Sequence, residues 1–237
     1  MQTCWLFIDF DNTLMATEQY AVPSLIDRFN ALYAKKIGKE LTLSEFKHYF
    51  HGQAREVLCK NLSQHFAIEV DYTALYDSRE PRIMQHLKSI PEGIAMAPHL
   101  IETLTLLRKR GALLSLVSNN PIQRALCAMR YASNQQGDDL ASLFGTRYFE
   151  AGELQKPLPD VYLRAMEQVV ASPEKSFAVE DSVTGAKAAL AAGLVTFAFT
   201  GFADNKIEAA QKLKEIGCQE AFADWRELPP ILESFLN

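Results

Sequence analysis

Two aspartates and a threonine stand close together near the start of the chain, directly after an apolar run. Residues 5–13 read WLFIDFDNT, so Asp9, Asp11 and Thr13 follow one another at intervals of two. A carboxylate beside a bound cation can act as a nucleophile and form an aspartyl-phosphate. A second carboxylate two residues away can exchange a proton with the reacting group. An aspartate after a strand is also a common helix N-cap, so this pair alone leaves both interpretations open.

Three later segments carry further groups that could do chemistry. Ser118 and Asn119 lie in SLVSNNP, Lys156 lies in LQKPLPD, and an acidic pair at 180–181 lies in FAVEDSV. Taken alone, each has a simpler interpretation as a turn residue, a surface lysine or a charged turn. Their order along the chain is more informative, because each segment follows a predicted strand.

The elements that must position these groups are short, continuous apolar runs separated by helical patterns. Such runs are typical of strands covered on both faces, and strand–helix alternation predicts a parallel sheet between helices. The fold class is therefore α/β, with a Rossmann-like three-layer core. The predicted strands are Cys4–Asp9, Leu113–Ser118, Arg147–Phe149, Phe177–Glu180 and Val195–Thr200, with Ala221–Ala223 as a further candidate.

A helical insertion interrupts this alternation after the first strand. Residues 15–89 show helical patterns without a convincing central strand, which predicts an α/β core at 1–14 and 90–237 and an inserted helical domain at 15–89. In the core, helices are predicted over Ala97–Arg110, Asp160–Val170 and Ser182–Ala192. The polar stretch SNQQGDD at 133–139 predicts an exposed loop.

The carboxyl ends of parallel strands gather at one edge of the sheet, where ligands bind. That edge would collect Asp9, Asp11, Glu180 and Asp181 together with Lys156. Four converging carboxylates repel one another unless a cation is bound, and Mg²⁺ prefers carboxylates, waters and phosphate oxygens. A lysine with hydroxyl, amide and backbone N–H groups suits a phosphoryl group.

Composition excludes several classes of partner. The 237 residues carry a formal net charge of −5 with a sequence pI near 5.6, which gives no electrostatic case for nucleic acid or an anionic membrane. No apolar stretch reaches the length of a membrane span, and no signal peptide is expected. The four cysteines are far apart and form no CxxC pair, so we expect reduced thiols and a cytoplasmic protein.

Together, the four motifs resemble those of the haloacid dehalogenase superfamily, in the branch of β-phosphoglucomutase and many small-molecule phosphatases. They are DFDNT at 9–13, SN at 118–119, KPLPD at 156–160 and EDSVTG at 180–185. The resemblance covers essentially the whole chain and implies phosphoryl transfer with Mg²⁺. The inserted helices resemble the helical cap of the family.

The resemblance implies a role for each motif residue in the first and last segments. Asp9 would be the nucleophile and a magnesium ligand. Asp11 would be the general acid and base, with its backbone carbonyl on the metal, and Thr13 would support the loop. Asp181 would complete the metal site, with Glu180 reaching a metal-bound water.

The middle motifs and the cap would handle the phosphoryl group and the rest of the substrate. Ser118 and Asn119 would hold the transferring phosphoryl group, and Lys156 would offset its charge while holding Asp9. Within HGQAREVL at 51–58, the resemblance makes three residues candidate substrate contacts: Gly52, Gln53 and Arg55. Arg55 could grip a distal anionic group, although it also reads as an exposed helix charge.

Departures from the branch's sequence pattern, and the residues that are kept, narrow the choice among the reactions of the superfamily. Asn12 replaces a common glycine and tolerates unusual backbone angles, so the turn should survive. Asp11 is present, whereas dehalogenases and phosphonatases of the superfamily replace it. The mutase of this branch has a histidine in the early cap and a lysine shortly after the second-motif serine. The matching places here are Ala21 and Pro121 or its neighbours, so neither group is found and hydrolysis is favoured over the mutase reaction.

The sequence therefore predicts a Mg²⁺-dependent phosphatase acting on a small phosphorylated metabolite, with a sugar phosphate as one candidate. Two alternatives stay open. One is a sugar-phosphate mutase of the β-phosphoglucomutase type, and the other is a non-enzymatic phosphoryl-binding or signalling module.

Overall fold

The computed structural model describes residues 3–50, 53 and 55–236, and the chain divides into two compact units. One unit consists of Met1–Thr17 and Ile90–Asn237, and the other of Glu18–Ser89. The second unit begins three residues later than the sequence predicts. Residues 15–17 stay with the first unit because Met15 bridges to Met96 and the Ala16 amide donates to the Ala95 carbonyl at 2.9 Å.

The described residues of the Glu18–Ser89 unit form helices joined by short turns and loops, and none of them lies in a strand. Its interior is built from aliphatic and aromatic side chains such as Phe29, Phe46 and Leu62, which are buried against one another. Thr42 and Asp71 cap two of its helices with side-chain oxygens, which satisfies amides at the helix N-termini. The helices are α1 (Glu18–Ile37), α2 (Leu43–Tyr49), α3 (Arg55–Phe66), α4 (Tyr72–Tyr76) and α5 (Arg79–Lys88).

The other unit contains a parallel sheet that has, among the described residues, six strands in the order β3-β2-β1-β4-β5-β6. This order and the flanking helices confirm the predicted α/β class with a Rossmann-like core. The strands are β1 (Cys4–Ile8), β2 (Ala112–Ser118), β3 (Tyr148–Glu150), β4 (Ser176–Glu180), β5 (Val195–Phe199) and β6 (Glu220–Phe222).

The helices of this unit include several that the sequence did not delineate. The expected loop at 133–139 is wrong at its end, because a helix begins at Gly137. A Cβ atom there would lie 1.7 Å from the Met129 carbonyl oxygen. Glycine therefore lets the helix that begins at Gly137 approach the preceding helix, Ile122–Arg130, closely. The helices are α6 (Leu100–Lys109), α7 (Ile122–Arg130), α8 (Gly137–Phe144), α9 (Asp160–Gln168), α10 (Val183–Ala191), α11 (Lys206–Glu215) and α12 (Leu228–Leu236).

Strand β1 lies at the centre of the sheet, between β2 and β4. Its residues Leu6, Phe7 and Ile8 are fully buried, as expected for a strand covered on both faces. The carboxyl ends of β1, β2 and β4 are therefore neighbours, and side chains that follow these strands can meet. Among the described residues, no helix has the length and apolar composition that crossing a bilayer requires.

Candidate active site

The turn after β1 presents Asp9 and Asp11 at the edge of the sheet. The amides of Thr13 and Leu14 both donate to the Phe10 carbonyl, which closes the turn. Asn12 has a φ of +54°, in the left-handed region that asparagine adopts more easily than most residues. The replacement of glycine by asparagine is thus accommodated at this position.

A single buried ammonium connects two of the predicted carboxylates. The Nζ atom of Lys156 lies 2.7 Å from Oδ1 of Asp9 and 2.6 Å from Oε1 of Glu180. It also donates to the Val117 carbonyl at 3.1 Å. Burial by itself would lower the pKa of Lys156, but the two carboxylates outweigh burial and hold it above its ordinary value. Lys156 is therefore a permanent cation in the site.

Three carboxylates form a cluster that could hold a metal ion. Asp9, Glu180 and Asp181 each place one oxygen within 4.8 Å of the others. The Thr13 hydroxyl lies between two of them, 3.3 Å from Oδ2 of Asp9 and 3.5 Å from Oδ1 of Asp181. An all-oxygen donor set of this charge is the type that binds Mg²⁺.

Glu180 is held tightly on one side and lacks a partner on the other. Its Oε1 atom accepts from Lys156 and from the Tyr162 hydroxyl at 2.5 Å. Its Oε2 atom is buried and has no hydrogen-bond partner among the described residues. A Cβ atom at Gly185 would lie 2.0 Å from this oxygen, so a glycine is required at that place in α10. A buried oxygen without a donor fits a cation-binding site.

The pKa of Asp9 is strongly raised. Burial is the main cause and the carboxylates of Glu180 and Asp11 add to it, so that the pKa reaches about 8. Lys156 opposes the rise but is shared with Glu180. Near neutral pH the Asp9 carboxyl group therefore holds a proton unless a bound metal ion displaces it.

Asp11 has a different environment from Asp9. Its Oδ1 atom accepts from the Thr17 hydroxyl at 2.5 Å and from the Arg124 guanidinium at 3.1 Å. Its Oδ2 atom accepts from the side-chain amide of Asn120 at 2.8 Å. Burial would raise the pKa of Asp11, but Arg124 and the neutral donors together hold it below its ordinary value. The two neighbouring aspartates thus have pKa values shifted in opposite directions.

The segment after β2 is tied to the segment that carries Lys156. The Lys156 amide donates to the Asn119 side-chain carbonyl at 2.7 Å, and the Asn119 amide donates back to the Lys156 carbonyl at 3.4 Å. The Ser118 hydroxyl accepts from the backbone amide of Asn120 at 3.0 Å, and its oxygen lies 3.5 Å from Oδ2 of Asp11. Ser118 therefore lies beside the carboxylate, and Asn119 fixes the backbone of Lys156.

Two of the three candidate substrate contacts in the helical unit, Gln53 and Arg55, contact other residues of that unit. The Gln53 side chain donates to the Tyr49 carbonyl at 2.9 Å and accepts from Asn61 at 2.9 Å. The Arg55 guanidinium lies 5.6 Å from the ring centre of Tyr76. Gly52 lies outside the described residues.

Three residues of the site were not singled out from the sequence: Thr17, Arg124 and Tyr162. One of them carried a signal, because Tyr162 lies two residues beyond Asp160 at the start of a predicted helix. The inward direction of Arg124 depends on how α7 is rotated, which the sequence pattern did not reveal.

Comparisons with known proteins agree with this architecture. CbbY of Cereibacter sphaeroides is 29% identical over 203 residues, covering 83% of this chain and 84% of that protein. A haloacid dehalogenase-family hydrolase from Deinococcus radiodurans, solved with bound phosphate and sodium, is 25% identical with a TM-score of 0.71, covering 98% of this chain and 96% of that one.

Two further solved structures share the fold. A conserved haloacid dehalogenase-like protein from Agrobacterium tumefaciens has a TM-score of 0.77 at 20% identity, covering 99% and 100% of the two chains. CbbY from Rhodobacter sphaeroides, solved with phosphate, has a TM-score of 0.72 at 18% identity, covering 96% and 97%. A mutant of that protein was solved with xylulose-(1,5)bisphosphate.

The sequence profile of the haloacid dehalogenase-like hydrolases matches residues 6–199, which include all four motifs and the carboxylate cluster. With a match over most of its length and the site assembled at the edge of the sheet, this chain belongs to the haloacid dehalogenase-like hydrolase family.

Proposed function

We propose that this hydrolase is a Mg²⁺-dependent phosphatase that releases phosphate from a small phosphorylated metabolite through an aspartyl-phosphate on Asp9. The observation that carries the proposal is the cluster of Asp9, Glu180 and Asp181, in which Lys156 pairs with the first two. Bound phosphate in the Deinococcus radiodurans relative supports a phosphoryl ligand. The sugar bisphosphate held by the CbbY mutant makes sugar phosphates the first substrates to test.

The donor set fits Mg²⁺ as a cofactor. Asp9 and Asp181 would hold the ion, with the Asp11 backbone carbonyl as a further ligand, and Glu180 would reach a water on it. When bound, Mg²⁺ neutralises the carboxylates and the phosphate so that an anionic nucleophile can approach an anionic ester. The unpartnered Oε2 of Glu180 supports this assignment.

The residues of the chain divide the reaction into two steps. In the first, a carboxylate oxygen of Asp9 bonds to phosphorus, the bond from phosphorus to the alcohol oxygen breaks, and Asp11 gives its proton to the departing alcohol. In the second, water bonds to phosphorus, Asp11 takes the water proton, and the Asp9 carboxylate is regenerated as phosphate leaves. A bound phosphate dianion would raise the pKa of Asp11 toward the protonated form that the first step needs.

The remaining residues would hold the phosphoryl group and the substrate. We assign Ser118 and Asn119 to the phosphoryl oxygens, Lys156 to charge compensation, and Thr13 to support of the loop. Gly52, Gln53 and Arg55 stay proposed substrate contacts.

The test is a phosphate-release screen with purified protein over sugar phosphates, phosphoglycolate and nucleotides, with and without Mg²⁺. We expect Mg²⁺-dependent release from at least one ester and none from an Asp9→Asn variant that keeps its fold. Interconversion of sugar phosphates without net release would favour the mutase. Binding of Mg²⁺ with no turnover of any ester would favour a non-enzymatic module.

A further inference from the structure

Arg124 is a buried cation to which the proposed reaction assigns no role. Its side chain is only 3% exposed, and its Nη2 atom lies 3.1 Å from Oδ1 of Asp11. Arginine is almost never buried without a partner, because removing its charge from water is costly. The contact with the Asp11 carboxylate therefore offsets part of the free-energy cost of burying this guanidinium.

The position of Arg124 is fixed by the segment that also carries Ser118. Helix α7 begins after Pro121, and the Arg124 amide donates to the Pro121 carbonyl at 2.9 Å. The guanidinium thus projects from the first turn of a helix rather than from a loop. Its Nη2 atom reaches one oxygen of the Asp11 carboxylate, and the charge of the guanidinium strengthens that hydrogen bond.

Asp11 receives neutral donors as well. The Thr17 hydroxyl binds the same oxygen as Arg124, the Asn120 side-chain amide binds the other, and the Ser118 hydroxyl lies 3.5 Å from that second oxygen. A guanidinium adds the attraction between opposite charges to its hydrogen bond, which a hydroxyl or an amide does not. Among these donors Arg124 is the charged one, so its removal should weaken the hold on the carboxylate most.

We propose that Arg124 is a positioning residue that holds the Asp11 carboxylate in the direction from which it exchanges a proton with the leaving oxygen. This inference rests on the proposed phosphatase function. The effect of Arg124 on the leaving oxygen would pass through Asp11. A purely structural role would instead tie α7 to the turn after β1 and leave proton transfer unchanged.

The test compares phenyl phosphate with p-nitrophenyl phosphate, two esters that differ chiefly in the basicity of the leaving oxygen. The quantity measured is kcat/KM with Mg²⁺, which covers only steps up to departure of the phenol. Nitrophenolate leaves with little protonation, whereas phenolate needs the acid more. In Arg124→Met we expect kcat/KM to fall at least about fivefold more for phenyl phosphate than for p-nitrophenyl phosphate.

Two further variants make the result specific. Arg124→Lys keeps the cation without the planar guanidinium and should give an intermediate ratio. Arg130→Met, at an exposed position of the same helix, should leave the ratio of the two esters unchanged. If Arg124→Met fails to fold, the Lys variant decides: a shifted ratio supports the inference, and an unshifted ratio overturns it.

Equal losses on the two esters in Arg124→Met, or no loss on either, would overturn the positioning role while leaving the phosphatase intact. A wild-type protein that releases phosphate from neither of these two esters nor from any metabolite of the screen would instead overturn the proposed function and this inference with it.

Discussion

Lys156 and Glu180 form an ion pair in the interior, with Nζ 2.6 Å from Oε1 and both side chains almost fully excluded from solvent. The same ammonium binds Asp9, so residues from three distant parts of the chain share one positive charge. Asp181 adds a third carboxylate, and one oxygen of each of the three acids lies within 4.8 Å of the others. Three carboxylates this close together favour binding of a cation.

Replacement of Lys156 tests how much the shared ammonium contributes. Removing one partner leaves buried carboxylates without compensation, so in Lys156→Met we expect the free energy of unfolding without Mg²⁺ to fall by about 3 kcal/mol. Urea denaturation measures the change. Lys175→Met, at an exposed position, is the matched control and should be near neutral. Equal denaturation midpoints for the two variants would show that the ammonium is not needed for stability.

The raised pKa of Asp9 predicts how pH and Mg²⁺ act together on stability. Asp9 ionises near pH 8 in the folded chain without metal, against an ordinary value of 3.8. Between these values the folded state holds a proton that the unfolded state has lost, so Asp9 makes stability fall as pH rises through this window. Mg²⁺ needs the ionised carboxylate and must displace that proton, so it binds more tightly at higher pH.

We therefore expect Mg²⁺ to raise Tm more at a pH of about 8.5 than at about 6.5. Thermal denaturation with and without the ion at both values measures the difference. In Asp9→Asn the pH dependence of the Mg²⁺ effect should shrink, because the displaced proton is gone. A larger stabilisation at the lower pH would contradict the assignment of Asp9 as a metal ligand.

The hydroxyl of Tyr162 offers a test of the support around Glu180. Tyr162→Phe removes the donor to Oε1 and leaves Lys156 as the donor that the structure records there. We expect a loss of about 1 kcal/mol in stability and a several-fold fall in kcat, since Glu180 and Lys156 become less fixed. Tyr148→Phe is the matched control, because its hydroxyl binds the Ala141 carbonyl instead. It should lower stability but not kcat, and a similar fall in kcat for both variants would count against the role of Tyr162.

The sequence predicted the sheet well because buried parallel strands leave a plain signal. The apolar runs before Asp9, Ser118 and Glu180 correspond to β1, β2 and β4, and their polar ends meet as a parallel sheet requires. Short helices were harder to predict. Helix α8 begins inside a polar stretch because Gly137 packs against the Met129 backbone, a tertiary contact with no periodic signature.

The same limit applies to the site. Residues in the four motifs were predicted, including Lys156 as the partner of Asp9, but the cation beside Asp11 was not. Arg124 reads as an ordinary helix charge in IQRALCAMR, and only the rotation of α7 turns it toward Asp11. Burial raises the pKa of Asp9, whereas Arg124 is the main group that lowers the pKa of Asp11, so the sequence predicted both carboxylates without indicating how differently they ionise.

Arg55 tests whether the helical unit recognises substrate. A guanidinium that binds a distal anionic group contributes charged hydrogen bonds, so Arg55→Ala should raise KM about tenfold for the best sugar phosphate of the screen. It should change KM little for p-nitrophenyl phosphate, which has no second anionic group. Lys60→Ala, an exposed cation on the same helix α3, is the matched control and should leave both values unchanged. If Arg55→Ala shifts KM equally for the two esters, its guanidinium serves the local packing against Tyr76 rather than recognition.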